Sequence, residues 1–90
     1  MSVQKDIEVI DEALSECRER IAKCPSYELL NSIEQQLLYL RSLLDGSEID
    51  KSRLSKIILG VYAVREFSET DRFFAELLVD ANEIAGRLKY

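Results

Sequence analysis

Apolar residues recur near the start of the chain at alternating spacings of four and three. They are Val3, Ile7, Ile10, Leu14, Cys17, Ile21 and Cys24. This period puts one apolar side chain per turn on the same face, so it predicts a long amphipathic α-helix packed along that face. Pro25 should end the helix, because a residue before proline is disfavoured in the α region, and Ser26 is expected to cap the next helix.

The same period predicts a second helix from about Tyr27 to Leu44, antiparallel to the first because the connection is short. Its apolar seam is Leu30, Ile33, Leu37, Leu40 and Leu44. Leu38 and Tyr39 fall well away from that seam. Either another helix covers them or they form an exposed patch for a partner, in which tyrosine is a common anchor.

Two breaks divide the rest of the chain. Gly46 is expected in the left-handed conformation that follows a helix end, and Ser47 or Asp50 should cap a third helix. The inner face of that helix is predicted to be Leu54, Ile57, Ile58, Val61, Val64 and the stem of Arg65. Gly60 should permit a close helix crossing, at some cost in helix propensity.

A fourth helix is predicted from Asp71 to Leu88, capped by Ser68 or Thr70. Its inward residues should be Phe73, Phe74, Leu77, Leu78, Ala81, Ile84, Ala85 and Leu88, with Glu76, Asp80 and Glu83 outward. Four helices with short loops predict an all-α fold, a compact and mostly antiparallel four-helix bundle that forms one domain over residues 1–90.

Charge and missing residue types restrict the function. The formal net charge is -5 and the sequence pI about 4.7, so the surface as a whole should repel nucleic acid and anionic membranes. The chain contains no His, the commonest general base and a usual ligand of metal sites in helical bundles. Its three glycines are isolated and form no phosphate-binding loop. We therefore expect a protein-binding function, with no enzymatic activity, cofactor or metal.

Cys17 and Cys24 lie two helical turns apart, roughly 10 Å along one helix and beyond disulfide reach. They are predicted to be buried, reduced thiols. The sequence shows neither a signal peptide nor a long uncharged apolar run, so the expected compartment is the cytoplasm.

A row of acids follows the solvent side of the first helix: Glu8, Glu12, Glu16 and Glu19. Such a row is either a solvated face or a docking stripe for a partner. Like charges four residues apart cost a few tenths of a kcal/mol in an isolated helix, which motivates the docking hypothesis.

Several segments, in this order and spacing, resemble the small immunity proteins of type VI secretion systems. They are Pro25-Ser26-Tyr27-Glu28-Leu29-Leu30, Glu34-Gln35-Gln36-Leu37, Leu59-Gly60, Ala63-Val64, Glu66-Phe67 and Glu69-Thr70-Asp71. The resemblance covers about residues 7–71 and is closest to immunity proteins that neutralise an NAD(P)+ glycohydrolase effector. It implies an all-helical cytoplasmic inhibitor that binds the toxin domain of the effector and blocks its access to NAD+ and NADP+.

Two sets of residues are candidates for binding that partner. We rank Glu66, Glu69 and Asp71 first, because the resemblance passes through them, and Glu12, Glu16 and Tyr39 second. An acidic surface suits a toxin whose active site receives dinucleotide phosphates and is therefore electropositive. The alternative function is an intracellular dimerisation or adaptor module, with a possible homodimer that buries Leu38 and Tyr39.

Overall fold

The computed structural model describes residues 3–89 and contains four α-helices within that range. They are α1 (Val3–Lys23), α2 (Glu28–Asp45), α3 (Leu59–Tyr62) and α4 (Arg72–Leu88). A 3-10 turn, Ser52–Lys56, precedes α3, and a π turn, Ala63–Phe67, continues it. The described residues form no β-strand, and the predicted all-α fold is confirmed.

The first two helices form an antiparallel hairpin. Arg18 near the end of α1 pairs with Glu34 near the start of α2, with 2.9 Å between Nε and Oε2. Asp11, one half-helix earlier, pairs with Arg41 at 2.8 Å, so the two chains run in opposite directions. Helix α4 is antiparallel to α1 in the same way, because its end reaches Asp6 through Arg87 at 3.2 Å.

Helix α3 completes the bundle between α2 and α4. The backbone N–H of Gly60 donates to Asn82 Oδ1 at 3.1 Å, and the Phe67 ring meets the Phe74 ring edge-on at 5.1 Å between centroids. These contacts make α3 antiparallel to α4. On its other side, the Ile58 N–H donates to Gln36 Oε1 of α2 at 2.9 Å. Every neighbouring pair is thus antiparallel, as predicted.

One hydrophobic core runs between the four helices. Its fully buried large side chains are Ile10, Cys17, Ile33, Leu37, Leu40, Leu59, Phe74 and Leu78. The predicted seams of α1 and α2 supply five of these, which confirms the helical periodicity there. At the edges the prediction is wrong: Val3 and Phe73, both expected inward, are exposed, since each lies at the margin of its helix's apolar face.

Helix ends differ from expectation in one case and agree in another. Gly46 has φ 86°, the left-handed conformation predicted for it. The N-cap position of α2 is occupied by Tyr27 rather than Ser26, which lies in the turn together with Pro25. Helix α1 ends at Lys23, before the proline, as the steric restriction on the preceding residue requires.

The predicted inner face of α3 is wrong. The helix begins only at Leu59, because Ile57 is extended (φ -73°, ψ 121°) and the residues before it form the separate 3-10 turn. An angular position on the helix inferred from those earlier residues therefore does not apply. Val61 and Val64, expected in the core, are 46% and 68% exposed. The inward stripe is instead Leu59, Ala63 and Phe67.

Gly60 lies where the chain needs a missing side chain. A Cβ at this position would come within 3.2 Å of the Asn82 side chain. Because there is no Cβ, α3 approaches α4 closely enough for the Gly60–Asn82 hydrogen bond. The predicted close crossing is confirmed.

Burial is the alternative that holds for the residues off the α2 seam. Leu38 packs half-buried against the core, and Tyr39 is 5% exposed. The Tyr39 hydroxyl donates to the Asp50 carbonyl at 2.6 Å, and the Arg53 guanidinium lies 4.3 Å from its ring centroid. Tyr39 thus fixes the loop after α2, and its ring is covered by the chain's own residues rather than open to a partner.

The two cysteines have different environments, so one half of the thiol prediction is wrong. Cys17 is fully buried and donates to the Leu30 carbonyl at 3.4 Å. Burial, aided by the nearby Glu34 carboxylate, raises the pKa of the Cys17 thiol to about 11. Cys24 is exposed, because α1 has already ended and the chain has turned away from the core.

Candidate partner-binding site

The first-ranked acids lie at one corner of the bundle, where the π turn leads into the connection before α4. Glu66 and Glu69 are both exposed there. The π turn widens the helix and brings Ala63 and Phe67 onto the core side. On the side facing α2, the Tyr27 hydroxyl donates to Glu66 Oε1 at 3.3 Å.

The hydroxyl residues of the connection bond backwards. Ser68 Oγ donates to the Val64 carbonyl at 2.8 Å, and Thr70 Oγ1 donates to the Glu66 carbonyl at 3.3 Å. The prediction that one of them caps α4 is wrong, since the N-cap position is held by Asp71. Serine and threonine often bond a carbonyl four residues earlier, and here this satisfies backbone acceptors at the end of the π turn.

Arg20 of α1 holds the corner together from beneath. Its guanidinium donates to both carboxylate oxygens of Asp71, at 2.5 and 3.0 Å, and to Glu16 Oε1 at 2.9 Å. It also lies 4.5 Å from the centroid of the Phe74 ring. The hydrogen bond from Arg20 holds the pKa of the Asp71 carboxyl below its usual range, and the same bond raises the pKa of Arg20.

This arrangement separates the predicted site residues into two kinds. Asp71 and Glu16, one from each candidate set, are half-buried and bind the same arginine. Glu66, Glu69 and Glu12 remain exposed. The two acidic sets are therefore connected through Arg20, which the sequence analysis did not single out. The only signal for it was a Glu four residues before an Arg, a spacing too common to identify a long-range contact.

An apolar groove adjoins the exposed acids and was also missed. It lies between α3 and α4 and has a volume of about 340 Å³. Its lining residues are Ala63, Val64, Ser68, Arg72, Ala75, Glu76 and Val79. The sequence pattern assigned Val64 to the core, so the groove could not be found until the start of α3 was known.

The remaining chemistry of the described residues is that of a recognition surface. Every buried side-chain nitrogen and oxygen among residues 3–89 has a hydrogen-bond partner. Within the same range no three His, Cys, Asp or Glu side chains gather in a group that could hold a metal ion. None of the described helices is long and apolar enough to cross a lipid bilayer.

Comparison with protein families identifies the chain. The Tsi6 family model matches residues 5–87, which covers all four helices and the corner just described. The chain belongs to the Tsi6 family. This confirms the resemblance to type VI secretion immunity proteins and extends it beyond Asp71 into α4.

Known members of the Tsi6 family are similar over nearly the whole chain. The immune protein Tsi6 of Pseudomonas aeruginosa strain PAO1 is 47% identical over 81 residues, which cover 90% of this chain and 86% of that protein. A solved structure of Tse6 in complex with Tsi6 contains a chain that is 43% identical, with a TM-score of 0.89 and coverage of 93% and 89% of the two chains.

A structure of Tsi6 from Pseudomonas aeruginosa gives the same fold. It is 42% identical, has a TM-score of 0.85, and the alignment covers 94% of this chain and 95% of that one. At these identities and scores the bundle of the Tsi6 family is the bundle of this chain, including the short third helix between α2 and α4.

Proposed function

We propose that this protein is an immunity protein that binds the toxin domain of a type VI secretion effector and blocks its active site. The observation that carries the proposal is Tsi6-family membership over residues 5–87, with an immune protein 47% identical and a relative solved in complex with Tse6. The partner is thus a protein toxin, the counterpart of Tse6 in that complex. The protein acts as a single helical domain and has no catalytic activity of its own.

The effector is an NAD(P)+ glycohydrolase, as the sequence resemblance implies, and the immunity protein works in the cytoplasm. A toxin that consumes NAD+ destroys a cytosolic pool, so protection is needed in the same compartment. The active site of such a toxin receives dinucleotide phosphates and is electropositive, and this chain carries a net charge of -5. Opposite charge accelerates the encounter of inhibitor and toxin.

Within this proposal, Glu66 and Glu69 are the acids that meet the toxin. Both are exposed at the corner formed by the π turn. Asp71 and Glu16 have the different task of binding Arg20 and so fixing the corner. Glu12 lies on the exposed side of α1 and represents the competing docking face.

The alternative of a dimerisation or adaptor module has lost its motivation. It depended on exposure of Leu38 and Tyr39, and both pack against the core of their own chain. An effector partner therefore explains more of the molecule than a second copy does.

Enzyme inhibition tests the proposal directly. The toxin domain encoded beside this gene should consume NAD+ alone and lose that activity when the purified protein is added in equal amount. The double reversal Glu66→Lys/Glu69→Lys should slow association by about tenfold at low salt and weaken its salt dependence, while the fold stays intact. The matched control is Glu8→Lys/Glu12→Lys, an equal charge change on α1, which should have a much smaller effect.

Two results would count against these assignments. If the protein neither binds nor inhibits that toxin domain, the immunity function is wrong. If the α1 reversal slows association and the Glu66/Glu69 reversal does not, the docking face lies on α1 instead.

A further inference from the structure

Three exposed valines lie together on the outer side of α3 and α4. Val61, Val64 and Val79 are 46%, 68% and 38% exposed, and we refer to them as the valine strip. Val61 and Val64 are three residues apart and share a helix face, while Val64 and Val79 line the same groove. The other exposed large apolar residues of the described chain are Val3, Tyr27, Ile49, Ile58 and Phe73.

The fold does not require these valines. Leu59, Ala63 and Phe67 already anchor α3 and its π turn in the core. Valine is also a weaker helix former than alanine or leucine, because its branched Cβ restricts the side chain against the preceding turn. An exposed face of a short helix would therefore gain stability from other residues.

The backbone of this corner offers few free hydrogen-bonding groups to a partner. The Val64 and Glu66 carbonyls accept bonds from Ser68 and Thr70 of the same segment. The surface thus presents apolar side chains in the middle and charge at its edges. This is the usual composition of a protein interface, with an apolar centre and a polar rim.

The charges around the valine strip describe the partner. Glu76 lines the groove beside Val79, and Glu66 and Glu69 continue the rim along the π turn. Arg65 and Arg72 are the basic residues of the same rim, so acids outnumber bases by three to two. A complementary surface has an apolar centre with a predominantly basic border.

We propose that the valine strip is the apolar centre of the surface that docks the effector's toxin domain. The inference rests on the proposed immunity function and adds the contact that holds the complex together. In this division, Glu66 and Glu69 accelerate the encounter through charge, whereas Val61, Val64 and Val79 slow dissociation by burial. The occupant is an apolar segment of the toxin domain bordered by Lys and Arg side chains.

The test replaces valines by a small polar residue and measures both rate constants. Val61→Ser/Val64→Ser should raise the Kd for the toxin domain at least tenfold, almost entirely through faster dissociation, with the salt dependence of association unchanged. The matched control is Ile49→Ser, which removes an 89% exposed apolar side chain from the loop after α2 and should leave both rates unchanged. Thermal unfolding of each variant checks that the fold is retained.

The possible outcomes separate the two proposals. If the unmodified protein binds the toxin domain and the double valine variant binds equally well, the valine strip is not the docking centre and the immunity function stands. If the unmodified protein does not bind, the proposed function itself fails. Sedimentation that shows a homodimer dissociated by the valine changes would also overturn the inference, because the strip would then be covered by a second copy.

Discussion

The α1–α2 hairpin and the segment from Gly46 to Asp71 have similar apolar content but are built by different rules. The hairpin consists of two regular helices of 21 and 18 residues, with buried side chains at spacings of three and four. The later segment contains a 3-10 turn, four residues of α-helix and a π turn. A repeat that persists over five turns fixes which face is buried, whereas a single turn does not.

Specific long-range contacts take over where periodicity ends. The Tyr39 hydroxyl binds the Asp50 carbonyl, and the Gln36 side chain accepts from the Ile58 N–H. Further along, Asn82 receives the Gly60 N–H. The irregular segment is therefore positioned from outside, by α2 and α4, and its exposed side is free to carry a binding surface.

The largest expected effect distinguishes the real inner face of α3 from the predicted one. Leu59→Ala should lower the free energy of unfolding by about 2–5 kcal/mol, because Leu59 is fully buried and the change leaves a cavity. Val61→Ala, two residues later, should change it by less than about 1 kcal/mol. Urea denaturation of both variants measures this. The reverse order would restore the inner face inferred from Val61 and Val64.

An intermediate effect is expected at the link between the two regions. Arg20→Gln should cost about 1–2 kcal/mol, because it leaves Asp71 and Glu16 without their half-buried partner. Arg18→Gln is the matched control, since it breaks the more exposed Arg18–Glu34 pair within the hairpin and should cost well under about 1 kcal/mol. Equal losses for the two variants would show that the corner needs no special link.

The Arg20 effect should depend on pH in a defined direction. The bond from Arg20 lowers the pKa of Asp71 in the folded protein. Its stabilisation is therefore present above the unfolded-state pKa of about 3.9 and is lost as the pH falls through the folded value. The stability difference between the unmodified protein and Arg20→Gln should shrink below about pH 4. A difference that stays constant from neutral pH to strongly acidic pH would contradict the ion pair.

The smallest effect concerns reactivity and leaves stability unchanged. Cys24 should react with a thiol reagent in the native protein, whereas Cys17 should react only after unfolding, because it is buried and its pKa is raised to about 11. Counting labelled thiols with and without denaturant measures this. Rapid labelling of both native thiols would mean that the hairpin opens more readily than its packing implies.

Much of the fold could be predicted from sequence, and the reason is visible in particular residues. Leu30, Ile33, Leu37 and Leu40 repeat with one period through several turns, so their burial follows from the pattern alone. The start of α3 could not be predicted, because it depends on a side chain of α2 that binds the Ile58 N–H. The angular position of every later residue in α3 changed with it.

The candidate site was predicted only in part, for the same physical reason. Glu66 and Glu69 are exposed as required for binding, and their contact with a partner stays a prediction. Asp71 looks equivalent to them in sequence, yet Arg20 from 51 positions earlier takes up its carboxylate. Local sequence cannot distinguish an acid that faces solvent from one that meets a distant arginine.

The π turn also has a consequence for chain length. Such a turn contains one residue more than regular α-helical winding would use, so it acts as a phase shift between the parts of the helix on either side. Deleting one residue there would rotate the downstream chain by roughly 100° relative to Leu59 and Val61. The angle between the valines before the shift and the acids after it is thus encoded by the number of residues in the turn, independently of which side chains they carry.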